Sequence, residues 1–541
     1  MSLYTDASII ITPNAFKESK LYSIKPGDGS GDMTVVRATT ATRVNSAGLI
    51  EVVPRNLFTY SEQFENANWV KVDTTITANQ PDPFGGNRAT LVQFGTAASS
   101  VINQSLNLTS GTTYTLSVYI KGINLTDLRM IVAGNSSVSV ISQIINGVWV
   151  RVTLTGIAGS TAFLNNQIAR TTSALGQSFY IYGAQLEASS TATEYFPTTD
   201  RLNVPRIDYT GGGCAKLLLE PQRSNLDTTS QTFSSWTLNN SGGVTTSSIT
   251  TSNPYNFATV QKVIPSAVLG QHRPLLSTNY SAAGKFWVIA KADGYNYLSL
   301  GDGGGLAGSS IIFNLLDGTI SGTAGGFIPS ITSLGNGWYK CSMNTTFVGL
   351  TGRWVIIRNN NTTADYIGDG TSGILFAHKQ MEVGAYDTSS ILTSGTAVTR
   401  VFDGCNDLDI TSFSIGNSYT ILIGAELNPL ENNKIFFTAK TSASTESFTV
   451  RNFNGLLRLY NNIDSAYPVA AISSSTNKWV LRIDGTSYNI FAYGSTLAGT
   501  FTTARNLAQF NFYGLATELK MQNLIIFPSA LTDAECIALT L

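Results

Sequence analysis

Charge is the first thing this chain lacks. Asp, Glu, Lys and Arg make up 12 % of its 541 residues, about half of the roughly 25 % usual in soluble domains. The 33 basic residues almost cancel the 34 acidic ones, so no long-range field steers the chain to nucleic acid or to an anionic membrane. Histidine is almost absent: only His272 and His378 occur. Neither lies near a Gly-x-Ser-x-Gly elbow, which starves a Ser-His mechanism of its base. The four cysteines, Cys214, Cys341, Cys405 and Cys536, are far apart, with no Cys-x-x-Cys spacing. That excludes the common zinc and thioredoxin patterns and leaves them as free thiols. No eighteen apolar residues run together to cross a membrane, residues 1–11 lack the basic start and apolar stretch of a secretion signal, and heptads for a coiled-coil shaft are missing. The expectation is synthesis in the cytosol and no membrane insertion.

What replaces charge is Ser, Thr, Asn and 49 Gly, together with 22 Tyr and 26 Phe, a mixture suited to strands joined by tight turns. The length exceeds what one hydrophobic core serves, so three or four domains are expected. In residues 113–121, Tyr114, Leu116, Val118 and Ile120 fall on one side of a pleat, and Thr113, Thr115, Ser117 and Tyr119 on the other. Similar runs occupy 148–154, 179–182, 286–290, 338–342, 354–357, 420–424, 456–460 and 479–483. Punctuated by Gly, Asn and Asp, they predict an all-β fold of tandem antiparallel β-sandwich (jelly-roll) modules.

An internal repeat organises the middle of the chain. One copy opens with Asn56-Leu57, Phe64 and Trp69, the other with Asn225-Leu226, Phe233 and Trp236. Each has a late strand announced by Asn-Gly and Trp (Trp149, Trp338), and each closes on a Gln-x-Glu signature, Gln185–Glu187 and Gln380–Glu382. Copy two departs at His378-Lys379, where copy one has Gly183-Ala184, which puts a shared ligand site in doubt. Junctions with Arg43, Arg201 and Arg400 echo one another. The resulting divisions are an extended N-terminal segment 1–54, a sandwich 55–200, a linker 201–221, a second sandwich 222–402 and a last module 403–541. In the last module, 519–527 reads as a strand that leads to a short helix capped by Thr532.

The two repeats resemble the carbohydrate-binding-module-like jelly rolls of tailed-bacteriophage head and tail fibre proteins. The likeness is carried by residues 56–64 with Trp69, the strand from Tyr114 to Lys121, residues 147–149, and residues 182–187 with 195–198. Residues 41–51, 200–208 and 217–223 look like segments of the same phage proteins, and Ala530 to Glu535 resembles the end of a laminin-G or concanavalin-like jelly roll. The resemblance implies a virion-surface fibre without catalysis, made in the host cytoplasm. Its N-terminal segment would attach to capsid or tail proteins, with a capsid-mounted head fibre slightly favoured. Such a fibre would associate with itself as a dimer or trimer and adhere to host-surface carbohydrate. The alternative is a tailspike glycosidase that degrades capsule polysaccharide.

Candidate sites are few. Asp302, Asp317, Asp365 and Asp369 lie beside glycine and read as turns, with a glycosidase pair as the sharper reading. Asp403, Asp407 and Asp409 could hold a structural calcium or form a solvated acidic turn; no other cofactor is expected. The segment Asp28-Gly-Ser-Gly-Asp32 lacks the Lys of a phosphate loop and the Glu of an EF-hand, and reads as a hairpin connection. The recurring Trp149 and Trp338 read as core residues, which leaves Tyr255, Tyr295 and Tyr297 as candidate sugar-stacking rings.

Overall fold

The computed structural model describes residues 3–17, 19–53, 56–96, 100–108, 110–123, 125–160, 162–170, 176–192, 195–199, 204–238, 242–255, 257, 259–279, 283–302, 311–322, 327–345, 351–427, 434–440, 446–453, 456–460, 469–471, 477–492, 495–513 and 518–541. Within them the regular structure is almost entirely antiparallel sheet.

The first sandwich consists of two five-stranded sheets. One runs in the order Val150–Ile157, Thr113–Ile123, Ser178–Glu187, Ala89–Phe94, Thr74–Gln80. The alternation in the Thr113–Ile123 strand is realised: Leu116, Val118 and Ile120 enter the core with Trp69, Val152 and Ile181, and Tyr119 turns outward. The second sandwich pairs a six-stranded with a five-stranded sheet around Phe286, Val288, Phe313, Met343 and Phe376.

The repeat has a physical basis. Asn56 donates to the Ala184 carbonyl (2.9 Å) and accepts from Leu186 N (3.1 Å); Asn225 donates to the Lys379 carbonyl (3.2 Å) and accepts from Met381 N (3.0 Å). Each asparagine thus ties the opening of its module to the closing strand. The Gln of each Gln-x-Glu signature fastens the following segment: Gln185 accepts from Phe196 N at 2.8 Å, Gln380 from Ile391 N at 2.6 Å. These side chains are buried and bonded, as buried amides must be.

Beyond the repeats, domain boundaries read from sequence do not separate the chain. The stretches expected as an extended attachment segment (1–54) and a linker (201–221) contribute strands to the last module. Its sheet of sixteen strands includes Ile9–Lys17, Lys20–Lys25, Met33–Val36 and Lys216–Leu219. The strand Leu519–Phe527 pairs along one edge with Ser418–Leu427. Its other edge is shared: Ile9↔Ile526 to Ile11↔Leu524 at one end, Leu217↔Met521 to Leu219↔Leu519 at the other. One core gathers Ile9, Ile11, Leu21, Met33 and Val35 with Leu217, Phe437, Trp479 and Ile526. The physical reason is that a central strand cannot leave a row of buried backbone groups unpaired. Both repeat modules are therefore insertions into one discontinuous sandwich.

Two local readings of this region hold. Asp28 accepts from Ser30 N (3.0 Å) and Asp32 from Ser23 N (2.8 Å), closing a hairpin. The helix Asp533–Thr540 carries a full capping box between Thr532 and Glu535. The four cysteines are unbridged.

Candidate functional site

The acidic cluster read as either a structural calcium site or a solvated turn is, at Asp403, a buried ion network. Asp403, 1 % exposed, bonds Arg37 (3.1 Å) and Arg206 and accepts from Glu220 N (2.9 Å). Glu220 in turn meets Arg206 at 2.6 Å and Arg400 at 2.9 Å. Three buried guanidiniums thus share two carboxylates, and a dication has no free oxygen to claim on Asp403. Asp409 lies apart and accepts from Thr411 N at 2.9 Å and its hydroxyl at 2.7 Å, which makes it a turn residue. The Asp407 side chain lies outside the described residues. Among the described residues no group of three His, Cys, Asp or Glu is placed to hold a metal.

This network sets an acid limit. Burial alone would raise the Glu220 carboxyl, but the Arg400 and Arg206 guanidiniums outweigh it and hold the group well below the carboxylate range. A carboxylate depressed in the fold lends stability above its unfolded pKa of about 4.3 and loses it as pH falls toward the folded value. Thermal melts are therefore expected to be flat from pH 7 to about 5 and to fall steeply below about pH 4. A midpoint independent of pH down to about 2 would contradict this assignment.

The rings expected to stack on sugar are scattered. Tyr255 is 7 % exposed; its hydroxyl bonds Ser390, and its ring stacks on Phe257 with centroids at 4.7 Å. It closes a cluster with Trp287 and Trp338 over the outer face of the second sandwich, so no sugar reaches it. Tyr295 is half-buried against Tyr366 (5.4 Å), and its hydroxyl accepts from Asp369 N (3.2 Å). Tyr297 is half-buried in the strand Tyr297–Asp302. Trp338 is buried, as expected, with its indole donating to the Ser252 carbonyl at 2.9 Å. Trp149 is not a core residue. It sits half-exposed on the outer face, 6.4 Å from Tyr180.

Catalytic material is not assembled from the other candidates. His272 bonds the Gly243 and Tyr366 carbonyls (2.8 and 3.0 Å). His378 is buried between Trp287 and Tyr255, and burial lowers its pKa to about 3. Asp317 and Asp369 bond their own turns, and hydrogen bonds from Ser372 and Thr371 hold Asp369 down at about 2. Asp365 is exposed in a short strand, and the Asp302 side chain lies outside the described residues.

What the structure does assemble is an aromatic face on the outer side of the first sandwich. Tyr119, half-buried, and Tyr182, 2 % exposed, are directly paired across neighbouring strands with rings 6.0 Å apart, so Tyr182 backs the face from beneath while Tyr119 reaches its surface. Phe84, 63 % exposed, stands edge-on over both, at 5.6 and 5.8 Å. Two residues further along, Tyr180 and Trp149 extend the aromatic row. Arg88 lies over the Tyr182 ring (5.2 Å) and Arg151 over that of Tyr119 (5.6 Å).

The support beneath is rigid. Asp82 accepts from Phe84 N (2.8 Å), Gly86 N (3.1 Å) and Arg88 Nε (3.1 Å), which fixes the loop that carries Phe84. Glu62 accepts from the Tyr182 hydroxyl at 2.7 Å and pairs with Arg88 at 3.3 Å. Burial and that bond to Glu62 raise the Tyr182 hydroxyl far above its usual range, so it remains a donor. Gly183, at φ +61°, leaves the space that the Tyr195 ring fills; a Cβ there would come within 2.9 Å of it. His378 in copy two has no such opening, and its face is covered instead. The departure between copies therefore does separate their outer faces. Sequence reasoning missed Phe84, Tyr119, Tyr182 and Arg88; the available signal was Tyr119 on the polar side of an otherwise regular strand.

No family model matches the chain, and no curated protein matches it. Among solved structures, the chain is similar to the CBM40 of a Ruminococcus gnavus IT-sialidase bound to α2,3-sialyllactose (12 % identity, 25 % of this chain and 92 % of that one, TM-score 0.22). It is also similar to the CBM22-1–CBM22-2 tandem of Paenibacillus barcinonensis Xyn10C (11 %, 65 % and 100 %, TM-score 0.25) and to the LG1-3 region of the laminin α2 chain (9 %, 80 % and 96 %, TM-score 0.18). Such scores transfer nothing about binding, and the aromatic face stands on its own geometry.

Proposed function

We propose that this chain is a non-catalytic adhesive fibre protein of a tailed-phage particle, and that the outer face of its first sandwich makes the contact with host-surface glycan. The observation that carries the adhesive part is the exposed Phe84 ring held over Tyr119 and Tyr182 beside Arg88. Ring faces and edges pack on the apolar face of a pyranose, and the flanking guanidinium and carboxylate bond its hydroxyls. The near-zero net charge suits neutral partners and makes such binding insensitive to salt. The phage assignment rests on the fibre-like segments of the sequence, and self-association into a dimer or trimer would multiply weak contacts through effective concentration.

Glycan arrays with the full chain test the reading. Binding is expected to drop about ten-fold, some 1.4 kcal/mol, in Phe84→Ala and further in Phe84→Ala/Tyr119→Ala, with no polysaccharide shortened. Equal binding by the double variant, or release of reducing ends from host capsule, would overturn it. Absence of the chain from purified particles would remove the virion assignment alone.

A further inference from the structure

A half-open cavity of about 250 Å³ lies where the N-terminal segment, residues 208–220, the second sandwich and the strand Leu519–Phe527 meet. Its volume equals roughly eight waters, the space of one pyranose ring with its hydroxyls. Junctions between modules are where small-molecule sites concentrate, and a mixed apolar and polar lining is their usual chemistry. Here Ile50, Ile289 and Leu334 supply the apolar part; the Thr388, Ser389 and Ser390 hydroxyls are bonded within the protein to Glu382, Glu220 and Tyr255, so the polar groups that face a ligand are the partly exposed Lys340–Asp387 and Lys520–Glu518 pairs. Trp287 also lines it, but the Lys340 ammonium sits 4.2 Å over its ring, so recognition does not depend on stacking there.

The charges of the lining decide the ligand class. Lys340 pairs with Asp387 at 2.6 Å, Lys520 with Glu518 at 3.1 Å, and Arg43 with Glu51 at 2.8 Å. Glu220 belongs to the buried ion network, and Asp208 accepts from Val44 N and Thr210 N (2.8 and 3.0 Å). An incoming ion would have to displace one partner of these partly buried pairs and leave the other charge without its counter-ion. A neutral diol loses nothing of the kind, because one hydroxyl accepts from a lysine while its neighbour donates to the paired carboxylate.

We infer that this cavity is a second ligand site, for a neutral polyhydroxylated molecule of monosaccharide size. It is independent of the aromatic face and uses none of its residues.

Calorimetric titration of the full chain with neutral monosaccharides, a hexuronate and an amino sugar tests it. At least one neutral sugar is expected to bind one-to-one, and more tightly than either charged analogue. Thr332→Trp, placed at an exposed lining position, should weaken that binding at least about ten-fold. Thr210→Trp, exposed on a different segment, serves as a second plug should the first variant fail to fold. Phe84→Ala should leave this binding unchanged, which separates failure here from failure of the aromatic face. No neutral sugar bound, preference for a charged analogue, or binding unaffected by a folded plug variant overturns the inference.

Discussion

Removal of residues 1–36 is expected to abolish cooperative unfolding of the last module while the first sandwich still melts as a unit. Ile9, Ile11, Leu21, Met33 and Val35 are all at most 1 % exposed within the last module's core. At about 1.5–3 kcal/mol for each buried side chain, their loss forfeits about 7–15 kcal/mol, as much as the whole stability of an ordinary domain. The deletion also strips the Leu519–Phe527 strand of its partners from Ile9 to Ile11. Calorimetry and limited proteolysis read the outcome: the last module's transition vanishes and residues 404–527 become cleavable, whereas residues 56–199, with their own core, stay protected. The double variant Ile9→Asp/Ile11→Asp should do the same without shortening the chain. An unchanged last-module transition in the truncated chain would refute the composite architecture.

This architecture changes how attachment has to work in the proposed fibre. An N-terminal segment free to dock on a capsid or tail protein was the expectation, yet its strands are committed inside a sandwich. Leu3 and Ala7 pack in a cluster with Leu531, Cys536 and Leu539 of the C-terminal region. Any docking through this end therefore engages the discontinuous module as a whole. The two inserted sandwiches leave that module at the segments around residues 53 and 221.

Local signals were legible in the sequence and distant ones were not. The alternation at Thr113–Ile123, the strand Leu519–Phe527 and the Thr532 cap each depend on residues within one turn or one pleat, so their pattern is complete in a short window. The pairing of Ile9 with Ile526 leaves no trace in either segment alone. Tyr255 sits in a loop-like stretch, but its hydroxyl bonds Ser390, 135 residues away, and its ring is buried with Trp287 and Trp338 from other strands. The aromatic face was half visible: Tyr119 stood on the polar side of its strand, whereas Phe84 and Arg88 join it from a loop that Asp82 shapes. The repeated Asn and Gln-x-Glu residues marked the opening and close of each copy in sequence; in the fold they are the clamps that close each sandwich.

The acidic residue at the entrance to the last module shows the same limit, and its replacement should have the second large effect. Asp403→Ala leaves Arg37 and Arg206 buried with a carboxylate removed from between them, and the partners lie 366 and 197 residues away in sequence. Burial already depresses the Arg37 guanidinium to about 10, with Asp403 the main influence opposing it. Breaking a buried pair by deleting one partner costs about 3–5 kcal/mol, chiefly because the remaining charge cannot be resolvated. Denaturant melts should show that loss for Asp403→Ala. Asp403→Asn keeps the shape and one acceptor but removes the charge, so it should lose nearly as much if electrostatics dominates, and much less if hydrogen bonding does. Because Arg37, Arg206 and Asp403 come from the N-terminal segment, the inter-module stretch and the entrance to the last module, the loss should appear in the composite module. The first sandwich should melt as before. A loss below about 1 kcal/mol would mean that water or a neighbouring acceptor already serves these guanidiniums, and that the network does not hold the three segments together.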